Sequence, residues 1–431
     1  MTVLSADWVV PVEGPPIRDG AVALDGDRIV AVGSVAELGE GTRFPEAVIL
    51  PGFVNAHSHL EYAVYNGFGD GLSFAPWILD HMERKGRIGL DEMAAIARAG
   101  AFECLRSGVT TVGDCSFSGA AAPACAELGL RAIVYLEVFG RDGSELEGRF
   151  SQHRESVEPY LDSRVKLGVS PHAPYTCSPE LYAACLELDL PLATHLNESS
   201  DELEWLANGQ GPWETLAGVL PPPLGDTGIR ALAKRGLLSS RIVAAHCVKV
   251  SSEEIELLAE HDVAVVHCPR SNAFLGCGVA PLAELRAAGL RIGLGMDSPA
   301  STPSFDMFDE MRAALYAARA REERPDALST AAVLELATLG SAGALGLEDE
   351  VGSLAPGKQA DLTVLSLVGS PFLPWEDPVT ATVLGGSPDR VVATLVAGET
   401  RYEKGGKTWP ELIADASIAR SLLLSRAAAT S

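Results

Sequence analysis

The hydrophobic positions change their pattern twice along the chain. From Ala6 to Leu50 they fall in short β-rich runs, 8–12, 21–24 and 28–32, with Asp25-Gly26-Asp27 a hairpin signal between the last two. From Val48 onward, short β-branched runs alternate with Ala-rich stretches of helical character, the pattern of βα units on a parallel sheet. Eight candidate strands emerge, at 48–59, 110–116, 131–139, 164–172, 190–198, 241–250, 262–272 and 291–301. The β-rich pattern returns at 360–367 and 390–402, so both ends of the chain can pair into one small β domain.

Most of these strands end in residues that do chemistry: His57 and His59, Asp114, Glu137, His172, His195 with Glu198, His246, His267 and Asp297. In a (β/α)8 barrel the C-terminal ends of the strands converge on one mouth, which explains why six of the nine histidines lie there. A doubly wound open sheet also alternates β and α but gives no reason for eight units ending this way. The expected fold is therefore an α/β TIM-type barrel over 51–350, with a small β-sandwich made by 1–50 and by 351–431, the latter including a terminal helix.

Composition narrows the partners. With 33 Lys+Arg against 58 Asp+Glu the net charge is −25, which repels nucleic acid and anionic membrane surfaces alike. The 47% apolar and 21% charged content is that of an ordinary globular protein and excludes disordered or collagen-like chains. Residues 1–12 lack Lys and Arg and their apolar stretch stops at Pro11, unlike a signal peptide, and no apolar run approaches the ~18 residues of a membrane span. Eight scattered cysteines with no CxxC pair argue against a disulfide framework or a thiolate zinc site. These features predict a soluble cytoplasmic protein acting on a small molecule.

His57-Ser58-His59 ends the first barrel strand, where residues two apart share a face, so both imidazoles can reach one ion. His195 and Asp297, at the ends of the fifth and eighth strands, complete an N3O set suited to a divalent metal with an open position for water. Zn2+ and Fe2+ both accept that set. His246-Cys247 and His267-Cys268 place a base beside a thiol, but neighbouring strand residues point to opposite faces, which prevents a dyad. Neither a GxxxxGK[ST] loop nor a GxGxxG turn opening a helix is present, so nucleotide triphosphates and nicotinamides lose their usual anchors.

The segments PGFVNAHSHLE (51–61), PHAPYTCSPEL (171–181), THLNES (194–199), AAHC (244–247), HCPRSN (267–272), GLGMDS (293–298) and GSLAPGKQADLTVL (352–365) together resemble the amidohydrolase superfamily, in its mononuclear-metal deaminase and chlorohydrolase branch. The resemblance implies one metal ion on His57, His59, His195 and Asp297, because the carboxylated lysine of binuclear members has no counterpart where His172 stands. It further implies Glu198 as proton shuttle, His246 as the residue orienting the attacking water, Asp297 as the acceptor of that water's proton, and a dimer or larger homo-oligomer.

By the same resemblance His172 contacts the substrate ring. Glu83 is a candidate for a ribose diol, against the ordinary reading of a solvated helix carboxylate, and Arg141 a candidate for a substrate carboxylate. His267 is either structural or near the metal, Glu61 either a substrate discriminator or a partner of a ligating histidine, and His81, His153 and His261 read as surface residues. The adenosine-type members, such as aminodeoxyfutalosine or methylthioadenosine/S-adenosylhomocysteine deaminases, are the most similar in the 77–85 and 171–178 segments. Hydrolysis of another C–N or C–Cl bond, as in guanine deaminases or triazine chlorohydrolases, is the alternative activity. A non-catalytic barrel would have no use for so many buried charged groups.

Overall fold

The computed structural model describes residues 1–372, 376–406 and 408–428, so residues 373–375, 407 and 429–431 of the expected 351–431 unit lie outside the described residues. Four strands open the chain: β1 (Thr2–Val9), β2 (Ile17–Asp25), β3 (Arg28–Ser34) and β4 (Thr42–Pro51). The expected hairpin closes β2 on β3, with Asp25 opposite Arg28 and Gly26 at φ 58°, a left-handed value that glycine adopts without strain.

Eight parallel strands follow: β5 (Phe53–Ser58), β6 (Val109–Ser116), β7 (Arg131–Val138), β8 (Val165–Pro171), β9 (Leu192–Leu196), β10 (Ile242–His246), β11 (Ala264–His267) and β12 (Ile292–Leu294), paired in sequence order. Then β13 (Leu362–Ser366), β14 (Val391–Val396) and β15 (Glu399–Glu403) rejoin the first four in one seven-stranded sheet, ordered β15-β14-β13-β4-β1-β2-β3. The result is a (β/α)8 barrel carrying a β-sandwich made from both termini. Its barrel interior is filled by one apolar cluster that draws on strands all round the ring, including Val54, Tyr135, Ala193, Val243 and Val266.

β5 and β12 are not ladder neighbours. They meet through a single bridge between Ser58 and Asp297, in which Asp297 N–H donates to His57 O (3.0 Å) and His59 N–H donates to Asp297 O (3.2 Å). Below it the Asn55 side chain accepts from Met296 N–H (2.8 Å).

The expected strand 48–59 is two strands. Gly52 separates β4, in the sandwich, from β5, in the barrel, because a Cβ there would lie 2.1 Å from the Thr110 hydroxyl. Several later strands are shorter than expected at their C-terminal ends. β9, β10 and β12 stop where Asn197, His246, Cys247 and Asp297 turn to positive φ (49°, 73°, 44° and 52°), which swings their side chains off the ladder.

Barrel and sandwich are tied by Arg131, at the start of β7, whose guanidinium donates to Asp361 (3.1 and 3.3 Å) and to Gln359 (3.1 Å). Both charges are nearly inaccessible, with side chains 4% and 2% exposed. Arg131→Ala strands the Asp361 carboxylate without its cation, and the expected cost is about 3–5 kcal/mol of unfolding free energy, read by denaturant titration. No helix among the described residues is long and apolar enough to cross a membrane.

Candidate metal centre and substrate cavity

Five side chains meet at the mouth of the barrel: His57 from β5, His59 just beyond it, His195 from β9, His246 at the end of β10 and Asp297 beyond β12. The His59 and His195 rings are stacked with their Nε2 atoms 3.3 Å apart, and Asp297 Oδ1 lies 3.7 Å from His59 Nε2 and 4.0 Å from His57 Nε2. Ligand atoms of His57, His195 and His246, and of His57, His59 and Asp297, gather within 4.8 Å of one another.

Hydrogen bonds behind the rings fix which nitrogen faces the centre. His59 Nδ1–H donates to Cys115 O (2.8 Å), His195 Nδ1–H to His172 O (2.7 Å) and His246 Nδ1–H to Asn272 Oδ1 (2.9 Å), so each Nε2 presents a lone pair. The Ser271 and Ser301 hydroxyls donate to Asp297 Oδ2 (2.7 and 2.9 Å), which leaves Oδ1 turned inward. His57 Nε2 is buried with no hydrogen-bond partner.

Burial, reinforced by neighbouring imidazoles, holds His57 far below the usual histidine range and takes His195 down to about 3, so both are neutral. Burial alone would raise Asp297, yet His59, His246 and the Ser271 hydroxyl outweigh it and hold the carboxylate ionised. Converging lone pairs and one carboxylate, with no donor among them, repel one another unless a cation sits between, and this N/O set fits Zn2+ or Fe2+. Lys166 is engaged elsewhere, in an ion pair with Glu350 (2.8 Å), so it does not bridge a second ion. The centre is a mononuclear divalent metal site.

Glu198 follows β9 and enters the same mouth, 4% exposed. Burial first, then the charges of Asp297 and Glu202, push its pKa well above the usual carboxylate range. Its position depends on Glu202, one helical turn on, whose carboxylate accepts from the Asn197 and Glu198 amides (3.1 and 2.7 Å) and is itself raised to about 7 by burial. The HCPRSN segment has a definite use here: Asn272 steers His246. Asn272→Ala removes that partner, and the expected loss in kcat is about 10- to 100-fold with the fold intact by circular dichroism.

A cavity of about 740 Å³ opens from the centre, large enough for a drug-sized ligand. His172 lies in its wall, with Nδ1 2.8 Å from the Thr176 hydroxyl and its ring 4.7 Å from that of His195. Arg141 also lines it but donates to Gly218 O and Leu220 O (3.1 and 2.7 Å). Glu83 is not brought to the cavity: its side chain is 59% exposed and paired with Arg87. The helix Phe74–Lys85 turns Lys85 inward instead.

His267 is buried outside the cavity wall. Glu61 makes no contact with a ligating histidine. Its carboxylate accepts from the amides of Phe117, Ser118 and Ala120 and from the Ser116 and Ser118 hydroxyls, pinning the loop after β6. His81, expected at the surface, is 8% exposed and packed against Tyr62, Tyr65 and Trp77 in the cavity wall.

Residues 48–401 match the profile of the amidohydrolase family. The chain belongs to that family. Among curated relatives, it is 33% identical over 404 residues to the 5′-deoxyadenosine deaminase of Methanothermobacter thermautotrophicus, covering 90% of each chain. It is 32% identical over 412 residues to the 5-methylthioadenosine/S-adenosylhomocysteine deaminase of Moorella thermoacetica, covering 92% of this chain and 93% of the other. Among solved structures, an adenosine deaminase from Xanthomonas campestris with bound zinc superposes with a TM-score of 0.88 at 28% identity over 98% of both chains. An amidohydrolase with this centre is a metal-dependent hydrolase.

Proposed function

We propose that this amidohydrolase is a hydrolytic deaminase that replaces the exocyclic amino group of an adenosine-type nucleoside with oxygen and releases ammonia. The observation that carries the reading is Glu198, a carboxyl at the mouth of the metal centre whose burial, with the Asp297 and Glu202 charges, favours its acid form. An amino group leaves poorly as an anion, so an acid must protonate the ring nitrogen and then the amine. A chloride leaves without a proton, so the second transfer, to the amine, is the one that only a deaminase needs. The names of the relatives point to adenosine derivatives varied at the 5′ position.

A divalent ion, when bound, activates water for attack at neutral pH. Asp297 Oδ1 accepts a proton from that water, and His246 Nε2, aimed by Asn272, hydrogen-bonds the attacking oxygen. Glu198 gives its proton to the ring nitrogen as the C–O bond forms. It then takes up the proton of the new hydroxyl and passes it to the amine as the C–N bond breaks. The proton held by Asp297 restores Glu198 once ammonia has left. A cytoplasmic location belongs to the same proposal and is supported by eight buried, unpaired cysteines.

The test is ammonia release by zinc-loaded protein from 5′-deoxyadenosine, methylthioadenosine, S-adenosylhomocysteine, aminodeoxyfutalosine, adenosine and guanine. Turnover of an adenosine derivative well above guanine is expected. Silence across the panel with metal bound would overturn the reading.

A further inference from the structure

Behind three of the four imidazoles at the metal centre stands an oxygen, and behind the fourth a sulfur. The Nδ1–H groups of His59 and His195 go to main-chain carbonyls and that of His246 to the Asn272 side-chain oxygen. His57 Nδ1 faces Cys115 Sγ at 3.8 Å, and among the described residues it has no other hydrogen-bond partner.

Cys115 lies near the end of β6, the neighbour of β5 in the ring. The two strands pair at Asn55 with Val112 and again at Ser58 with Asp114, with an irregularity between. Here Cys115 serves both members of the His57-Ser58-His59 motif. Its carbonyl accepts from His59 Nδ1–H (2.8 Å), and its side chain, part of the apolar cluster that fills the barrel, meets His57.

The direction of the bond follows from the other ring nitrogen. His57 Nε2 is buried without a partner, and His57 belongs to both groups of converging ligand atoms, so Nε2 is the nitrogen left for the ion. Nδ1 then carries the proton, and a buried N–H needs an acceptor, which a thiol sulfur weakly provides. Packing explains a buried cysteine, since the residue is a common small filler of cores, but not the aim of this sulfur. Cys177 and Cys268 turn theirs to the carbonyl oxygens of Val138 and Val266 (3.1 and 3.8 Å), whereas that of Cys115 meets a metal ligand.

We infer that Cys115 is a positioning residue of the metal centre, its sulfur holding His57 in the Nδ1–H tautomer with Nε2 toward the ion. It does not line the cavity and acts only through His57. A partner of this kind fixes the ring and raises its basicity, and its loss costs about 10- to 100-fold in metal affinity.

Zinc affinity is measured by competition with a chelator, in the absence of substrate, so the result stands apart from the deaminase reading. Cys115→Ala and Cys115→Ser leave nearly the same space beside His57 and differ by one hydroxyl. The alanine variant is expected to bind zinc about 10- to 100-fold more weakly than the wild type, and the serine variant to recover about tenfold of that loss. A packing role would weaken both alike. Nitrogen-15 spectra of labelled histidines in the zinc-loaded wild type give a second readout that needs no variant, and His57 is expected to carry its proton on Nδ1. Wild-type zinc affinity in Cys115→Ala, serine no better than alanine, or a proton on His57 Nε2 would each overturn the inference.

Discussion

Glu198→Gln is expected to retain its metal, by elemental analysis, and to lose about a hundred- to ten-thousand-fold in kcat. The amide keeps the shape and the cavity position of the side chain but has no proton to give. The pH profile supplies a second readout. Because burial and the neighbouring Asp297 and Glu202 charges raise the Glu198 pKa, the acid form persists to higher pH than that of an ordinary carboxyl, and wild-type activity declines as pH climbs past that raised value. The residual activity of the Gln variant should lack this basic limb. Near-normal kcat, or an unchanged limb, would remove Glu198 from the proton transfers.

His57→Ala is expected to give the other large effect, and of a different kind. His57 belongs to both groups of converging ligand atoms, and its Nε2 has no other partner to satisfy. The variant should purify with far less metal than the wild type and lose more than about a thousandfold in kcat/KM. Without the ion, water keeps its pKa of 15.7 instead of falling to about 7. Its thermal midpoint should no longer rise on addition of zinc, whereas an ion at 100 times its Kd stabilises a native site by about 2.7 kcal/mol. Full metal occupancy in His57→Ala would move the centre elsewhere.

The barrel was legible in the chain because its pattern repeats: eight βα units leave the same signature eight times, and each strand end advertises its chemistry. The split at Gly52 was not, because nothing local separates β4 from β5. Only the Thr110 side chain, contributed by a strand far along the chain, demands a glycine there. Strand ends were overextended for a related reason. Asn197, His246 and Asp297 sit in apolar company that reads as strand, and their left-handed backbone is accompanied by bonds outside the ladder, such as those the Asn197 and Glu198 amides donate to Glu202.

Among the expected site residues, those in short motifs are brought together at the barrel mouth, whereas Glu83, expected from a helix, is not. Glu83 and Lys85 are two residues apart on a helix, some 200° around its axis, so choosing the wrong one reverses the sign of charge in the cavity. The aromatic setting of Lys85, Arg149 and His81 comes from three separate segments whose encounter no spacing announces. Asn272 was visible as a turn residue, but its bond to His246 spans 26 positions.

The sparse join between β5 and β12 gives the metal a second task. The two strands are held by two main-chain bonds around Asp297 and by the bond that Met296 N–H donates to Asn55. His57 and His59 stand on one side of that gap and Asp297 on the other, so an ion bound by all three would be a rivet through a sparse joint of the barrel. Losing it would unfasten the ring at the place where catalysis happens, and the apoprotein would be softened first along its own active site.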